Sequence, residues 1–196
     1  PMPKVYVIKT PTPNAFATGR SPKHSAVAAT ESLLDMLSED EARGVMAHEL
    51  SHIKHRDTLI QTIAVGIASA VGIVAEMMQW ALIFGMGGEE DNGVGGLVGT
   101  ILLLILTPLL ATIIQLAISR QREFMADAGA VRLMKSAEPL TSALRKLEAA
   151  AQGKPIQNTS RSPTESLFIV NPFTKSGLSK LFSTHPSTQD RIKHMQ

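Results

Sequence analysis

Apolar residues are distributed unevenly along the chain. Residues 59–86 and 94–118 are apolar almost throughout, whereas residues 1–57 and 120–196 mix charged, polar and apolar positions as a soluble domain does. A membrane-spanning helix needs about 20 consecutive, mostly apolar residues, and both runs reach that length. Two helices buried in a soluble fold are the alternative, but this short chain has too little other protein to cover them. The pattern therefore predicts two membrane spans.

Charges at the ends of the two runs predict their orientation. Lys54 and Arg56 precede the first run, Arg120 and Arg122 follow the second, and the link between the runs, GGEEDNG, is acidic. Because positively charged flanks tend to stay on the cytoplasmic side, both outer ends are expected in the cytoplasm and the link on the far side.

The region before the first apolar run has the pattern of short strands followed by a helix. Residues 3–9 alternate β-forming residues with others until the prolines of TPTPN interrupt them, and AFATG and SAVAAT read as two further short strands. Ser38 and Glu41 form a capping box ahead of the helically spaced Val45 and Leu50. A helix is therefore expected to begin at Ser38 and to include residues 48–52, HELSH.

Composition narrows the possible chemistry. The net charge is +2 and no dense run of Lys and Arg marks a phosphate-binding stripe, so nucleic acid is not an expected partner. The absence of cysteine excludes disulfides and thiolate ligands, so a transition metal must be held by histidines and carboxylates. The chain begins at Pro1 without a signal-peptide pattern and is expected to be a fragment that lacks upstream residues.

The stretch HELSH has the spacing of metal ligands. His48 and His52 are four residues apart, so on a helix their imidazoles share one face about 5–6 Å apart, as a tetrahedral zinc ion requires. Glu49 is offset around the helix, where its carboxylate can reach a metal-bound water and act as general base in peptide hydrolysis. The alternative is that this short motif occurs by chance. Chance is a weaker explanation here because a helix over these residues is predicted independently.

The stretch RQREFMADAGA, directly after the second apolar run, offers further ligands. Glu123 and Asp127 share a helical face, while Ala126, Ala128 and Ala130 are small enough for close helix packing. We expect Glu123 to be the third ligand, which leaves the fourth zinc position open for catalysis. Asp127 is expected to accept the free ring N–H of a liganding histidine. An amphipathic helix with solvated charges is the alternative.

Four motifs together, HELSH, REFMAD, NAFATG (residues 14–19) and FSTHPSTQDRI (residues 182–192), resemble the HtpX membrane metalloproteases. This family comprises heat-shock-linked gluzincins related to the CAAX prenyl endopeptidases, and the resemblance covers nearly all of the chain. It implies a zinc endopeptidase in the bacterial inner membrane that crosses the bilayer several times, faces the cytoplasm with its active site and cleaves misfolded or damaged membrane proteins. It also implies further membrane helices before the first strand.

The resemblance assigns one zinc ion per chain to His48, His52 and Glu123, and the catalytic base to Glu49. His185, in THP, becomes a candidate donor to the developing oxyanion; an ordinary loop histidine is the alternative. Arg191 follows a helix start at Ser187 and is expected to pair with Asp127 or Glu123, although a surface charge is the simpler interpretation.

Substrate contacts are expected near the small strands. With the resemblance, Asn14, Ala15 and Phe16 of NAFATG are expected to line the cleft, whereas from their sequence alone a plain turn is favoured. SAVAAT is expected to present a free edge to which an extended substrate adds as another strand.

The fold is therefore expected to be mainly α with a small β-sheet, a zincin-like metalloprotease domain interrupted by a transmembrane helical hairpin. Residues 1–57 and 120–196 would form the protease domain, and residues 58–119 the hairpin. Polypeptides, above all membrane proteins, and the lipid bilayer are the expected partners. A catalytically quiet membrane scaffold or chaperone with a retained zinc site is the alternative. A metal transporter or sensor is disfavoured because the runs offer little beyond Glu76 and two glutamines as ligands.

Overall fold

The computed structural model describes residues 1–83, 94–153 and 186–196; residues 84–93 and 154–185, the latter including His185, lie outside that description. The described chain is mostly helical with one small sheet, as expected. Its strands are β1 (Lys4–Ile8), β2 (Ala15–Ser21) and β3 (His24–Thr30). Its helices are α1 (Glu31–Met36), α2 (Glu39–His55), α3 (Asp57–Ile83), α4 (Val94–Met134), α5 (Glu138–Gly153) and α6 (Thr188–Met195).

The sheet has the order β1-β3-β2, with β1 parallel and β2 antiparallel to β3. The SAVAAT segment forms β3, so the expectation that it has a free edge is wrong: both of its edges are already paired. Sequence patterns identify strands but not their order, because pairing between β1 and β3 joins segments about 20 residues apart. The free edges among the described strands belong to β1 and β2.

Glycine at position 19 allows β2 and β3 to approach at the end of their hairpin. Gly19 has a φ of 140°, which L side chains rarely adopt, and a Cβ there would lie 2.3 Å from the carbonyl oxygen of His24. The strand register shifts between Gly19 and Ser21.

The core lies between the sheet and the helices α1, α2, α4 and α5. It is built from small and aliphatic side chains of β2, β3, α1, α2, α4 and α5, among them Ala15, Ala29, Leu33, Val45, Ala130, Leu140 and Leu144. The alanines among them are small, so the elements that carry them can pack closely on α2.

The start of α2 is fixed by the expected capping box, and the structure confirms it. Ser38 Oγ accepts from the backbone N–H of Glu41, and Glu41 Oε2 accepts from that of Ser38 at 2.7 Å. Glu41 also accepts from Ser142 Oγ at 2.6 Å and from Lys146 Nζ at 2.7 Å. Burial opposes ionisation of this carboxyl, but these α5 partners and the Ser38 N–H lower its pKa to about 2. The carboxylate therefore fastens α2 to α5.

The chain divides into two compact units, Pro1–Leu59 with Ser119–Gln196, and Ile60–Ile118. Among the described residues, one segment is long and apolar enough to cross a membrane: Asp57–Met78 has 22 residues and a mean hydropathy of 2.0, and its apolar 18-residue window contains no buried residue. The second apolar run and REFMAD lie on one continuous helix, α4, with Pro108 inside it. The expected turn of the hairpin falls in residues 84–93, outside the described residues, so the hairpin stays a prediction.

Candidate metal centre

The structure brings the three predicted metal ligands together. His48 and His52 lie one turn apart on α2 with ring centroids 4.6 Å apart, and their Nε2 atoms are separated by 3.0 Å. Glu123 reaches them from α4, with Oε2 3.6 Å from His48 Nε2 and Oε1 3.6 Å from His52 Nε2. One donor atom from each residue lies within 4.8 Å of the other two.

The hydrogen bonds behind the two imidazoles decide whether this set fits a cation. His48 Nδ1 lies 2.9 Å from Asp127 Oδ1, and His52 Nδ1 lies 2.6 Å from Asp57 Oδ2. Because a carboxylate accepts an N–H, each neutral ring carries its proton on Nδ1 and directs a lone pair from Nε2. Two lone pairs and the Glu123 carboxylate therefore face one point, where they repel each other unless a cation lies between them. The donor set fits zinc.

A buried arginine lies behind His48. Arg191, on α6, donates to Asp127 through Nε at 2.9 Å and through Nη2 at 2.6 Å, and its Nη1 lies 3.6 Å from Glu123 Oε2. The surface interpretation does not hold, because Arg191 is only 1% exposed. Burial opposes ionisation of Asp127, but the adjacent guanidinium lowers its pKa to about 2. Burial likewise disfavours charged Arg191, yet Asp127 and Glu123 raise its pKa.

Two further charged residues, Asp57 and Arg122, lie behind His52. The sequence pattern did not indicate that they belong to the site. Asp57 bonds through Oδ1 to Arg122 Nη2, and the same Nη2 donates to the backbone carbonyl of His55 at 2.7 Å. Helical spacing did not reveal them because Arg56, with a φ of 56°, ends α2 in the left-handed conformation and turns the chain. The sequence feature that could have indicated this pair is the aspartate two residues after the end of α2.

Glu49, the predicted general base, is buried at 4% exposure on the same helix as the two histidines. Burial raises the pKa of its carboxyl. A raised pKa makes the carboxylate a stronger base, as a general base requires.

Close packing of α4 on α2 sets the position of Glu123. Ala126 and Ala130 are buried as expected, but Ala128 is exposed and takes no part. The sequence pattern did not indicate the close contact at Gly129, where a Cβ would lie 2.4 Å from Ser51 Oγ and 2.8 Å from Ser51 Cβ. Only glycine allows this separation of the helices.

The predicted substrate residues lie at the start of the edge strand β2. The backbone N–H of Asn14 donates to Thr30 Oγ1 at 2.9 Å, and its carbonyl oxygen accepts from the Thr30 N–H at 2.9 Å. The buried Oδ1 of Asn14 has no hydrogen-bond partner among the described residues. Ala15 belongs to the hydrophobic core at 1% exposure, so a contact with substrate would have to come from its backbone. Phe16 is half-buried. The predicted role of His185 lies outside the described residues.

A cleft lies beside one of the candidate ligands. It runs between the end of β2 and the end of α2, and His52 contributes to its wall. The other lining residues are Thr18, Gly19, Arg20, Ser21, Ser25, Ile53, Arg56, Thr58 and Leu59. Of the three candidate ligands, His52 is the one that lines this cleft.

Comparisons with known proteins agree with this geometry. Residues 1–196 match Peptidase family M48. A protease HtpX homolog of Syntrophotalea carbinolica is 50% identical over 196 residues, covering 100% of this chain and 70% of that protein. A homolog of the same name from Pyrococcus furiosus is 48% identical over 196 residues, again 100% of this chain and 67% of the relative. The crystal structure of S. mikatae Ste24p shares the fold, with a TM-score of 0.58 and 21% identity over 100% of this chain and 46% of that one.

Proposed function

This chain belongs to peptidase family M48 and is a metalloprotease, and we propose that it is an endopeptidase that holds one zinc ion between His48, His52 and Glu123. The observation that supports this most strongly is the meeting of two Nε2 lone pairs and a carboxylate at one point. Three protein ligands leave a fourth position for water or substrate, as catalytic zinc sites do and structural sites do not.

The residues around this point suit peptide hydrolysis. Bound zinc would supply Lewis acidity toward the scissile carbonyl and make a water molecule more acidic. Glu49 takes the proton from the attacking water and returns it to the leaving amine. Asp127 and Asp57 hold the two imidazoles in the tautomer that directs Nε2 to the site. His185 would donate a hydrogen bond to the developing oxyanion.

An extended substrate would bind along β2. Residues of β2 line the same cleft as His52, and β2 is an edge strand of the described sheet, so a peptide can add to the sheet as a further strand. This replaces β3, which has no free edge. Asn14 lies directly before this strand and Phe16 lies on it, and we propose that both contact the substrate. The buried side-chain oxygen of Asn14 has no hydrogen-bond partner among the described residues.

We further propose that the protein acts in a membrane. Helix α3 begins at Asp57, two residues after α2 ends, and the apolar segment Asp57–Met78 has the length and hydropathy of a span. The chain thus passes from its ligand helix directly into an apolar helix, which suits a protease acting at a bilayer surface. Its substrates would be misfolded or damaged membrane proteins, cleaved during stress on the cytoplasmic side of the bacterial inner membrane.

Replacing the general base separates an enzyme from a zinc-binding scaffold. Glu49→Gln should retain one zinc ion per chain and lose cleavage of an unfolded protein such as casein, and a chelator should abolish cleavage by the wild type. Asp40→Asn, a change at an exposed position of the same helix, is the control and should cleave normally. Wild-type cleavage by Glu49→Gln would contradict the mechanism, whereas a zinc-loaded wild type without cleavage would support the scaffold.

A further inference from the structure

Both candidate zinc-binding histidines are supported from behind by a carboxylate paired with an arginine. For His48 the pair is Asp127 with Arg191, and for His52 it is Asp57 with Arg122. The first pair joins α4 and α6. The second pair joins α3 and α4, and its function is not explained by the fold alone.

Asp57 occupies a position that a continuous helix would not provide. In an unbroken helix, a residue five positions after His52 lies about 140° further around the axis and cannot meet its ring. The left-handed conformation of Arg56 turns the chain, and Asp57 Oδ2 comes to 2.6 Å from His52 Nδ1. Asp57 is 4% exposed. A buried carboxylate of this kind is costly unless it is paired.

Arg122 supplies that pairing and makes a second contact. Its Nη2 bonds Asp57 Oδ1 and also donates to the backbone carbonyl of His55 at 2.7 Å. That carbonyl belongs to the last turn of α2, whose carbonyls lack partners within the helix. Arg122 therefore fastens α4 to the end of α2 at the residue directly before Glu123.

These contacts act on two ligands at once. Asp57 fixes the tautomer and orientation of His52, and Arg122 holds the backbone that carries Glu123. We propose that Asp57 and Arg122 are positioning residues of the metal site, which act as one unit and set its affinity for zinc. This inference rests on the proposed function, since it assumes that His52 and Glu123 bind the metal.

Zinc affinity of the full-length chain in detergent tests the inference. Asp57→Asn and Arg122→Gln should each weaken zinc binding 10- to 100-fold in competition with a chromogenic chelator, as loss of such partners does elsewhere. The visible spectrum of the Co²⁺-loaded protein should change in both variants, because the geometry at His52 changes. The exposed Asp40→Asn is the control and should bind as the wild type does.

The double variant tests whether the two residues act together. If they form one unit, Asp57→Asn combined with Arg122→Gln should lose little more affinity than either single change. Losses that multiply would overturn the claim of one unit. At saturating zinc, cleavage by Asp57→Asn should return toward the wild-type rate, whereas a lasting loss with native helix content would contradict a positioning role.

The wild type separates failure of this inference from failure of the proposed function. If the wild type binds zinc and cleaves, but Asp57→Asn has affinity within twofold of it, only the positioning role is wrong. If the wild type binds no zinc, the proposed function fails instead. Should Asp57→Asn not fold, Arg122→Gln carries the same test: wild-type affinity and an unchanged Co²⁺ spectrum there would overturn the inference.

Discussion

Arg191 Nη2 lies 2.6 Å from Asp127 Oδ1 although the two residues are 64 positions apart in the sequence. The contact docks the last described helix, α6, on α4 beside His48. Both partners are almost fully buried, at 1% exposure each. Each charge is therefore stable in the interior only because the opposite charge lies beside it. The C-terminal helix is thus part of the support of the metal centre.

Loss of this arginine should be severe. Arg191→Met leaves the Asp127 carboxylate buried without its cation, and the expected loss is about 3–5 kcal/mol of unfolding free energy. Chemical denaturation of the detergent-solubilised chain measures it. Lys193→Met, on an exposed residue of the same helix, should stay within about 0.5 kcal/mol. Equal stability of Arg191→Met and the wild type would show that the buried pair does not hold α6.

The capping carboxylate Glu41 should make stability depend on pH. Its folded pKa is about 2, below the ordinary value of 4.5, so its stabilisation is complete above pH 4.5 and is lost as the pH falls toward 2. Glu41→Gln should cost about 1.5–3 kcal/mol at pH 7. The stability difference from the wild type should then shrink steadily below pH 4.5. Glu39→Gln, at a carboxyl whose side chain is 80% exposed, is the control; a gap that stays constant from pH 7 to pH 2 would refute the role of Glu41.

Close packing of α4 on α2 at Gly129 should affect zinc affinity through the position of Glu123. Gly129→Ala places a methyl group 2.4 Å from Ser51 Oγ, so α4 must move away from α2 and carry Glu123 with it. We expect zinc affinity to fall at least about 10-fold, comparable with loss of a supporting residue. Gly66→Ala is a matched control, because a Cβ there meets no atom of the described residues within 4 Å. Unchanged zinc affinity in Gly129→Ala would show that α4 can accommodate the methyl group without displacing Glu123.

How much could be predicted from sequence depended on how local each feature was. The capping box at Ser38 and the shared face of His48 and His52 follow from helical geometry within a few residues, and the structure has both. The meeting of Glu123 with these histidines depends on close packing of two distant helices, and its prediction needed the chemistry of zinc as well as the spacing.

Other features were out of reach of local patterns. The central position of β3 depends on which strand pairs with which, and the same strand pattern allows any of the three strands to be central. The Asp57–Arg122 pair depends on one left-handed residue, Arg56, that no glycine marks. The exposure of Ala128 and the contact at Gly129 depend on how α4 is rotated against α2.

The coordination shell of zinc tests the central claim most directly. X-ray absorption at the zinc edge should show, for one ion per chain, two imidazole nitrogens at about 2.0–2.1 Å together with oxygen ligands. His52→Ala should remove one imidazole from the spectrum, and Glu123→Ala should remove an oxygen. A zinc spectrum that neither substitution changes, or a shell without imidazole, would contradict the site formed by His48, His52 and Glu123.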